Sequence, residues 1–314
     1  MSLDTAPKLS RRRTFGFALE TTTGTPVVPA GADSVTRVFD PDIKFSTEQV
    51  ERDEMGASIS PIVQYIGARS GKATFETELV GSGVTALPIW ALRLLPACGF
   101  SNTSGTFAPL TGATQTITIA EWRDGKRYLL SGCMGTAKIM GKRGQKARIQ
   151  WEFTGVQQPV IDDSNPAPTY VTVIAPRVWT AFTIGGATYR CPDIEIDLGN
   201  EVILREDGLG VDTASNATGY RAAYITRRKI TTKISPEAVA IATHDWPGAL
   251  QALSTTALVW TVGSASNNTF AFTAPALQIV KDPEQGDRQG MLTDQIEFLN
   301  IRNAGDDELQ LVMS

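Results

Sequence analysis

Hydrophobic and polar side chains alternate in four stretches of the chain, and this alternation predicts β-strands. The stretches are residues 42–46, 74–79, 148–154 and 193–198, where branched or aromatic side chains alternate with charged or hydroxyl-bearing ones. Because successive side chains of a strand point to opposite faces, a period of two places apolar residues on one face of a sheet. The sequence therefore predicts a sheet that contacts water on its other face.

Helix signals are confined to two short segments. Residues 87–95 have Pro88 near their start and Pro96 at their end, and residues 245–253 begin with Asp245, a residue type that caps helices. Strand-forming Thr, Val and Ile recur elsewhere, so the predicted fold class is all-β with one short helix per domain. The residues expected in the core are Ile43, Phe45, Phe75, Trp90, Trp151, Phe153, Ile194, Ile196, Trp246 and Phe298.

The two helices occupy corresponding positions in a repeated pattern. Residues 41–45, PDIKF, return as PDIEI at 192–196, and Trp90 of the first helix corresponds to Trp246 of the second. Further matches follow in the same order: 52–54 with 205–207, 72–74 with 229–231, 138–140 with 278–280, and 151–153 with 296–298. This conserved order indicates an internal duplication, and the alternative is two unrelated β domains.

The duplication divides the chain into four parts. We predict an extended N-terminal arm at residues 1–35, a first β domain at 36–156, a Pro-rich linker at 157–169 and a second β domain at 170–314. Each domain is long enough to bury its own core. The arm is polar, and we expect it to become ordered against a neighbouring molecule.

Charge and composition exclude several classes of protein. The chain has 33 acidic and 29 basic residues, whereas a protein that binds nucleic acid over its whole surface is normally strongly basic. Apolar residues make up 42% and charged residues 20%, which are ordinary values for a globular protein. No segment has the pattern of a secretory signal or of a membrane-spanning helix.

Reactive groups are few, so we predict no catalytic site, no metal site and no cofactor. His244 is the only histidine, and beside Asp245 at a helix start it is expected to have a surface or capping role. Cys98, Cys133 and Cys191 are too widely spaced to indicate a zinc site or a disulfide framework. They fit folding in a reducing cytoplasm.

Several segments resemble the tail tube proteins, or major tail proteins, of siphophages, which are long-tailed bacteriophages. The likeness includes residues 194–202, IEIDLGNEV, followed by RED at 205–207 and preceded by 182–189. In the first half, residues 71–79 and 94–100 fit the same pattern. The resemblance thus extends over both halves, although it consists of strand patterns and glycines rather than one diagnostic motif.

The resemblance implies a β-sandwich with one flanking helix for each tube domain. Sheets from neighbouring domains would join into an intersubunit β-barrel around a DNA channel, and rings would stack head to tail. Six tube domains per ring are usual in the family, so a chain with two would form a trimer with pseudo-six-fold symmetry. A hexamer remains open if the second domain has another role.

The same resemblance implies a structural virion protein that forms the conduit for genome ejection. Its partners would be further copies of itself, the tape measure, tail terminator and distal tail proteins, and viral DNA that passes without sequence-specific binding. It would be made in the host bacterial cytoplasm and reside in the tail of the virion. No membrane and no cofactor are implied.

Two groups of charged residues are assigned to this assembly. Acidic side chains that alternate with apolar ones are expected to face the lumen, because negative charge repels phosphate. These acidic candidates are Glu76, Glu78, Asp193, Glu195 and Asp197. The candidates for loops between subunits are Glu51, Arg52, Asp53, Glu54, Lys142, Arg143, Lys146, Arg205, Glu206 and Asp207.

Three other functions remain open from the sequence. The chain could be a different β-rich virion protein, such as a decoration or distal tail protein. It could be a soluble carbohydrate- or receptor-binding module, which would need an exposed aromatic platform formed by Trp122, Trp179 or Trp260. A hydrolase would depend on His244.

Overall fold

The computed structural model describes residues 8–35, 37–52, 60, 62–112, 115–168, 170, 172–206 and 219–314. Strands make up most of these ranges, together with two α-helices and one 3₁₀ turn, Gly31–Asp33. The all-β fold class predicted from the sequence is therefore confirmed. The helices are α1 (Ile89–Ala97) and α2 (Trp246–Gln251).

Ten of the described strands lie in the first half of the chain and eleven in the second. Those of the first half are β1 (Arg13–Leu19), β2 (Ser34–Val35), β3 (Val38–Val50), β4 (Tyr65–Glu78), β5 (Phe100–Thr103), β6 (Thr106–Pro109), β7 (Ile117–Arg123), β8 (Lys126–Lys142), β9 (Arg148–Gln157) and β10 (Ile161–Asp162). Those of the second half are β11 (Trp179–Ile184), β12 (Ala187–Thr188), β13 (Asp193–Asp197), β14 (Glu201–Glu206), β15 (Tyr220–Arg227), β16 (Thr231–Ile234), β17 (Thr255–Val262), β18 (Phe270–Ile279), β19 (Glu284–Arg288), β20 (Met291–Asn300) and β21 (Gln310–Met313).

Strand neighbours follow one order in the first half. From one edge inward, β3 pairs with β4, β4 with β9 and β9 with β8. The first part of β8 then pairs with β7, and β7 with β1. After β9, the short β10 returns to pair with the start of β8.

The second half follows the same order of neighbours. Strand β13 pairs with β16, β16 with β20 and β20 with β18. Strand β18 then pairs with β17, and β17 with β11. After β20, β21 returns to the start of β18, as β10 does on β8. Strand β21 also pairs with the β5–β6 hairpin of the first half.

A second junction makes the sheets of the two halves continuous. The last part of β8, residues 138–142, pairs antiparallel with all of β13. Gly141 lies at this junction, and a Cβ atom added there would stand 2.3 Å from Cζ2 of the buried Trp260. Because a real Cβ atom does not approach another carbon so closely, the junction needs glycine at position 141.

The hydrophobic core is one cluster that includes residues of both halves. Of the ten positions expected in the core, nine are between 0% and 6% exposed. Phe45 is half-buried and packs against the rim of the cluster, with its ring centroid 5.7 Å from that of Tyr128. The rings of Phe17 on β1 and Phe75 on β4 stack at 5.1 Å, so these strands face each other as the two layers of a β-sandwich.

The predicted N-terminal arm differs from the structure over residues 13–19. These residues form β1, which pairs with β7 along its whole length, and they place Phe15 and Phe17 in the core. The physical reason is their own alternation of apolar side chains within a segment that is otherwise polar. Residues 13–19 are therefore an integral strand and not an arm.

The predicted linker at 157–169 is also held against the first half. Asp163 accepts hydrogen bonds from Nε1 of Trp122 at 3.0 Å and from the guanidinium of Arg127 at 2.8 Å. The Oδ1 atom of Asn165 accepts the Gly125 N–H at 2.9 Å. Polar linker residues thus become fixed because they satisfy donors on β7, β8 and the turn between them.

A buried carboxylate joins the end of β1 to the neighbouring strands. Glu20 is 4% exposed, and its oxygens accept the hydroxyls of Thr116 at 2.6 Å and Thr118 at 2.8 Å. They also accept the N–H groups of Gly132 at 2.7 Å and Gly24 at 2.8 Å. This one side chain therefore satisfies donors from three separate parts of the chain.

We predict that Glu20→Ala lowers the free energy of unfolding by about 1–3 kcal/mol, because it leaves the buried N–H of Gly132 without an acceptor. Urea unfolding followed by tryptophan fluorescence measures the change. Glu51→Ala is the matched control, since Glu51 is exposed, and it should leave the midpoint unchanged. Equal stability of the Glu20→Ala and Glu51→Ala proteins would contradict the anchoring role of Glu20.

Candidate assembly surfaces

One face of the continuous sheet carries charged side chains of both signs. The strands in this face are, in order, β3, β4, β9, β8, β13, β16 and β20. Because directly opposite residues share a face, the registers place all these side chains on the side away from the core. Charged members of this polar face include Asp42, Lys44, Lys72, Glu76, Lys138, Lys142, Arg148, Glu152, Asp193, Glu195, Asp197, Lys233 and Glu297.

Cross-strand ion pairs join these side chains. The ammonium group of Lys138 lies 3.3 Å from a carboxylate oxygen of Glu195 and 3.5 Å from one of Asp197, across the junction of the halves. The other pairs on this face are Lys72–Glu152 at 2.8 Å, Arg148–Glu76 at 3.0 Å and Lys233–Glu297 at 3.8 Å. The polar face is thus balanced in charge.

The acidic side chains expected to face the lumen are therefore paired with cations of the same chain. Glu76, Glu195 and Asp197 lie on the polar face, each within 3.5 Å of a cation on a neighbouring strand. Asp193 lies 3.4 Å from the guanidinium of Arg288. The pattern of a single strand predicts the acidic side chains but not their cationic partners, because the partners are distant in sequence.

Glu78 departs furthest from the expectation. It is 3% exposed, and its carboxylate lies 2.6 Å from Nζ of Lys146 and 3.4 Å from the guanidinium of Arg37. The negative charge of Glu78 is therefore neutralised by cations of the same chain. Lys146, expected in an intersubunit loop, is the side chain that covers it.

Lys138 shows the electrostatic effect of this pairing most clearly. Partial burial alone would lower the pKa of its ammonium group, but Glu195 and Asp197 outweigh burial and raise the pKa above its ordinary value. Lys138 therefore stays positively charged. Its ammonium group pairs with two carboxylates of the same chain, which leaves it less available to other anions.

The remaining loop candidates lie at the periphery. Glu51 and Arg52 are exposed beyond β3, and the Arg52 guanidinium stands 4.9 Å from the ring centroid of Tyr65. Lys142 and Arg143 are exposed at the end of β8, and Arg205 and Glu206 at the end of β14. Asp53, Glu54 and Asp207 lie outside the described residues.

The β14–β15 hairpin packs on the first half of its own chain. Asn200, just before β14, donates from Nδ2 to the carbonyls of Cys98 and Gly135, both at 2.9 Å. Ala222 of β15 is fully buried, and a Cβ atom added to Gly132 on β8 would stand 2.8 Å from its Cα. The described base of this hairpin is thus an internal contact between the halves.

Six described strands of the continuous sheet pair with one neighbour only, and β3 and β19 are the longest of them; the others, β2, β5, β10 and β12, have two to four residues. Strand β3 pairs with β4 alone, and β19 pairs with β20 alone. Free edges present unpaired N–H and C=O groups that can pair with another chain. The sequence pattern does not predict β19, because residues 284–288 are polar and lack the alternation of a half-buried strand.

His244 has a local structural environment. Its ring lies 3.7 Å from that of Trp246 and 5.6 Å from that of Tyr189, measured between centroids. Burial against these rings lowers the pKa of His244 from 6.5, and Asp245 opposes that shift only in part. Asp245 itself caps α2, accepting the N–H of Gly248 at 2.8 Å.

The cysteines and tryptophans are placed in the interior. Cys98 and Cys133 are fully buried, which raises the pKa of both thiols, and burial raises the pKa of Cys191 to about 11. Trp122 and Trp260 are at most 1% exposed, and Trp179 is half-buried. None of these three tryptophans offers the exposed platform that a carbohydrate-binding module needs.

Two features of the described ranges bear on other functions. They contain no group of three or more His, Cys, Asp or Glu side chains placed to hold a metal ion. In the same ranges, neither helix is long and apolar enough to cross a membrane.

The fold and the surfaces define the class of this protein. It is an all-β protein with a charge-balanced sheet face and free strand edges. The sequence model of one family, described as phage tail tube protein, matches residues 10–299. The chain therefore belongs to the phage tail tube protein family, which is a family of structural tail proteins. No curated protein sequence matches the chain.

We predict that the single histidine titrates with a midpoint below 6.5, because burial disfavours its charged form. Since the unfolded chain then binds the proton more tightly, the free energy of unfolding should fall as the pH drops below 6.5. Proton NMR of the imidazole measures the midpoint.

Two variants act as controls in opposite directions. Trp246→Leu uncovers the ring and should move the midpoint back toward 6.5, whereas Asp245→Asn removes the opposing carboxylate and should lower the midpoint further. A midpoint at or above 6.5 in the unaltered protein would refute the dominance of burial.

Proposed function

We propose that this chain polymerises as stacked rings into the tail tube of a long-tailed phage and forms the conduit for genome ejection. Membership of the tail tube family supports the structural role. The observation that carries the ring arrangement is the internal junction of β8 with β13, because it demonstrates how this fold continues its sheet from one half into the next. The free edges of β3 and β19 offer the same continuation to other copies.

The proposed ring has three copies, each contributing two tube domains. Its support is the repeated order of neighbours, β3-β4-β9-β8 and β13-β16-β20-β18. In each half, one helix lies between the second and third of these four strands in chain order. A duplication accounts for this order and for the recurring sequence segments. Three chains then give pseudo-six-fold symmetry, and six chains would be needed only if one half had another role.

The polar face of the sheet would line the channel. DNA passes easily only if the wall offers few unpaired cations, since each phosphate contact releases counterions and adds affinity. On this face Lys44, Lys72, Lys138 and Lys233 each have a carboxylate within 3.8 Å, and Lys142 lies directly opposite Asp193. Internal neutralisation, rather than an acidic wall, would therefore let viral DNA slide without sequence-specific binding.

The remaining parts of the proposal follow from the tail tube role. The partners are other copies in the ring and in stacked rings, and the tape measure, tail terminator and distal tail proteins. The protein is made in the host cytoplasm, resides in the virion tail, and acts without catalysis or a cofactor. Arg52, Arg143 and Arg205 are exposed at the ends of strands and are proposed to contact neighbouring copies.

Purified protein is expected to polymerise into hollow rods as its concentration rises, because pairing of free strand edges depends on mass action. Light scattering follows the polymerisation, and negative-stain microscopy with rotational averaging gives the symmetry of a ring, expected to be three-fold. A protein that stays monomeric at all accessible concentrations would overturn the proposal.

Glu152→Gln combined with Glu297→Gln should make the tubes retain DNA. These changes leave Lys72 and Lys233 without their carboxylates, so the lumen gains free cations. Retention of a fluorescent duplex by sedimented tubes should increase several-fold at low salt and disappear at high salt.

The matched control replaces Glu51 and Glu201 by Gln, which removes the same charge from exposed positions away from the polar face. Tubes of the control should exclude DNA as the unaltered protein does. Equal retention by both variants would mean that the polar face does not line the channel.

A further inference from the structure

We infer that β3 of one copy pairs antiparallel with β19 of the next copy in a single register, with Lys44 opposite Glu284. This inference rests on the proposed function, because it specifies which residues meet when a ring closes. The partner is a second copy of this chain. The β8–β13 junction is an internal template, and the residues of β3 and β19 that occupy its positions define the register between copies.

The segment QWEF at 150–153 and the segment QIEF at 295–298 fix the position of β19. Gln150 of the first segment lies directly opposite Lys138 in the β8–β9 ladder. Gln295 of the second lies directly opposite Glu284 in the β19–β20 ladder. Glu284 therefore takes the place in the second half that Lys138 takes in the first.

The ladders fix the position of β3 in the same way. In each half, three residues on adjacent strands lie directly opposite one another, and the third is the Phe of the QWEF or QIEF segment. These rows are Ile43–Ala73–Phe153 and Ile196–Thr232–Phe298. Ile43 thus corresponds to Ile196, and the next residue, Lys44, corresponds to Asp197. This alignment is shifted by two residues from the repeated PDI segments, and it keeps every side chain on the same face.

The corresponding pairs carry opposite charges in reversed order. At the internal junction, Asp197 of β13 lies opposite Lys138 of β8, and the pair forms an ion pair at 3.5 Å. In the inferred junction, the cation, Lys44, stands on β3 and the anion, Glu284, on β19. Both junctions thus pair a cation with an anion. The strand that carries the anion in one junction corresponds to the strand that carries the cation in the other.

Exposure is consistent with a contact that is absent from the single chain. The side chains of Lys138 and Asp197 are 36% and 35% exposed at the internal junction, whereas those of Lys44 and Glu284 are 80% and 58% exposed. Within one chain, Lys44 pairs with Asp42 at 3.1 Å, and Glu284 pairs with Lys281. These are neighbours in sequence, and they leave both side chains open to a partner.

This reversal of charge between the two junctions also disfavours pairing of β3 with β8 or of β13 with β19. If β3 approached β8 of another copy in the same register, Lys44 would face Lys138, and like charges directly opposite destabilise a sheet. If β13 approached β19, Asp197 would face Glu284. Each of these wrong pairings places like charges opposite each other. The charge pattern therefore favours a ring in which first and second halves alternate.

Charge reversal tests the register. Lys44→Glu and Glu284→Lys, each alone, should reduce the extent of polymerisation at least several-fold at low salt, because each places like charges opposite. The double variant Lys44→Glu/Glu284→Lys should recover polymerisation to near the level of the unaltered protein. Sedimentation velocity measures the polymer fraction, and circular dichroism verifies that each monomer is folded.

Lys126→Glu is the matched control, since Lys126 is an exposed lysine on β8 outside both junctions, and it should polymerise normally. Polymerisation unaffected by either single reversal would overturn the register and leave the tail tube proposal intact. Failure of the unaltered protein to polymerise would instead overturn the tail tube proposal.

A cysteine pair gives an independent measurement. In the Lys44→Cys/Glu284→Cys variant the two Cβ atoms should lie about 4.5–5.5 Å apart between copies, so mild oxidation should link neighbouring chains. The three native cysteines are buried and should not contribute. Covalent closure at three chains supports the inference, whereas tubes that form without cross-linking contradict the register.

Discussion

Backbone pairing at the edge of a sheet is the constraint on which this structure depends. A strand edge carries N–H and C=O groups that must find partners, and open edges invite uncontrolled association. Inside the chain, β8 meets this demand by pairing with β13, which makes one sheet of two halves. Where β3 and β19 leave edges free, the same chemistry becomes available to other copies. Folding and the proposed assembly thus use a single interaction.

The rest of the architecture supports that junction. The core behind the sheet extends across both halves, so β8 and β13 are held at a fixed angle by packing as well as by hydrogen bonds. Gly141 permits Trp260 to pack directly under the junction. The β14–β15 hairpin adds a second contact, in which Asn200 binds the carbonyls of Cys98 and Gly135. This internal junction is the template for the relation that we propose between copies.

Charge on the polar face serves a different purpose from charge at the edges. Cross-strand pairs such as Lys72–Glu152 and Arg148–Glu76 neutralise the face internally. Exposed ion pairs of this kind add little to stability. Their value in the proposed channel is that they leave few free cations for phosphate to bind. At the edges, by contrast, Lys44 and Glu284 remain exposed and can determine which strand is accepted.

Local pattern was sufficient for the fold class, for the two helices and for the repeated segments, because each depends on residues close in sequence. The alternation in 148–154 marks a half-buried strand in any context, and Asp245 caps α2 through a contact three residues away. The same alternation in residues 13–19 was overlooked within a polar segment. Ion partners such as Lys146 for Glu78, and the polar edge strand β19, were beyond local reasoning. The sequence by itself determined which side chains alternate and where turns interrupt them. Only the tertiary structure decided which strands adjoin, because pairing joins residues far apart along the chain and is selected by the packing of the whole core.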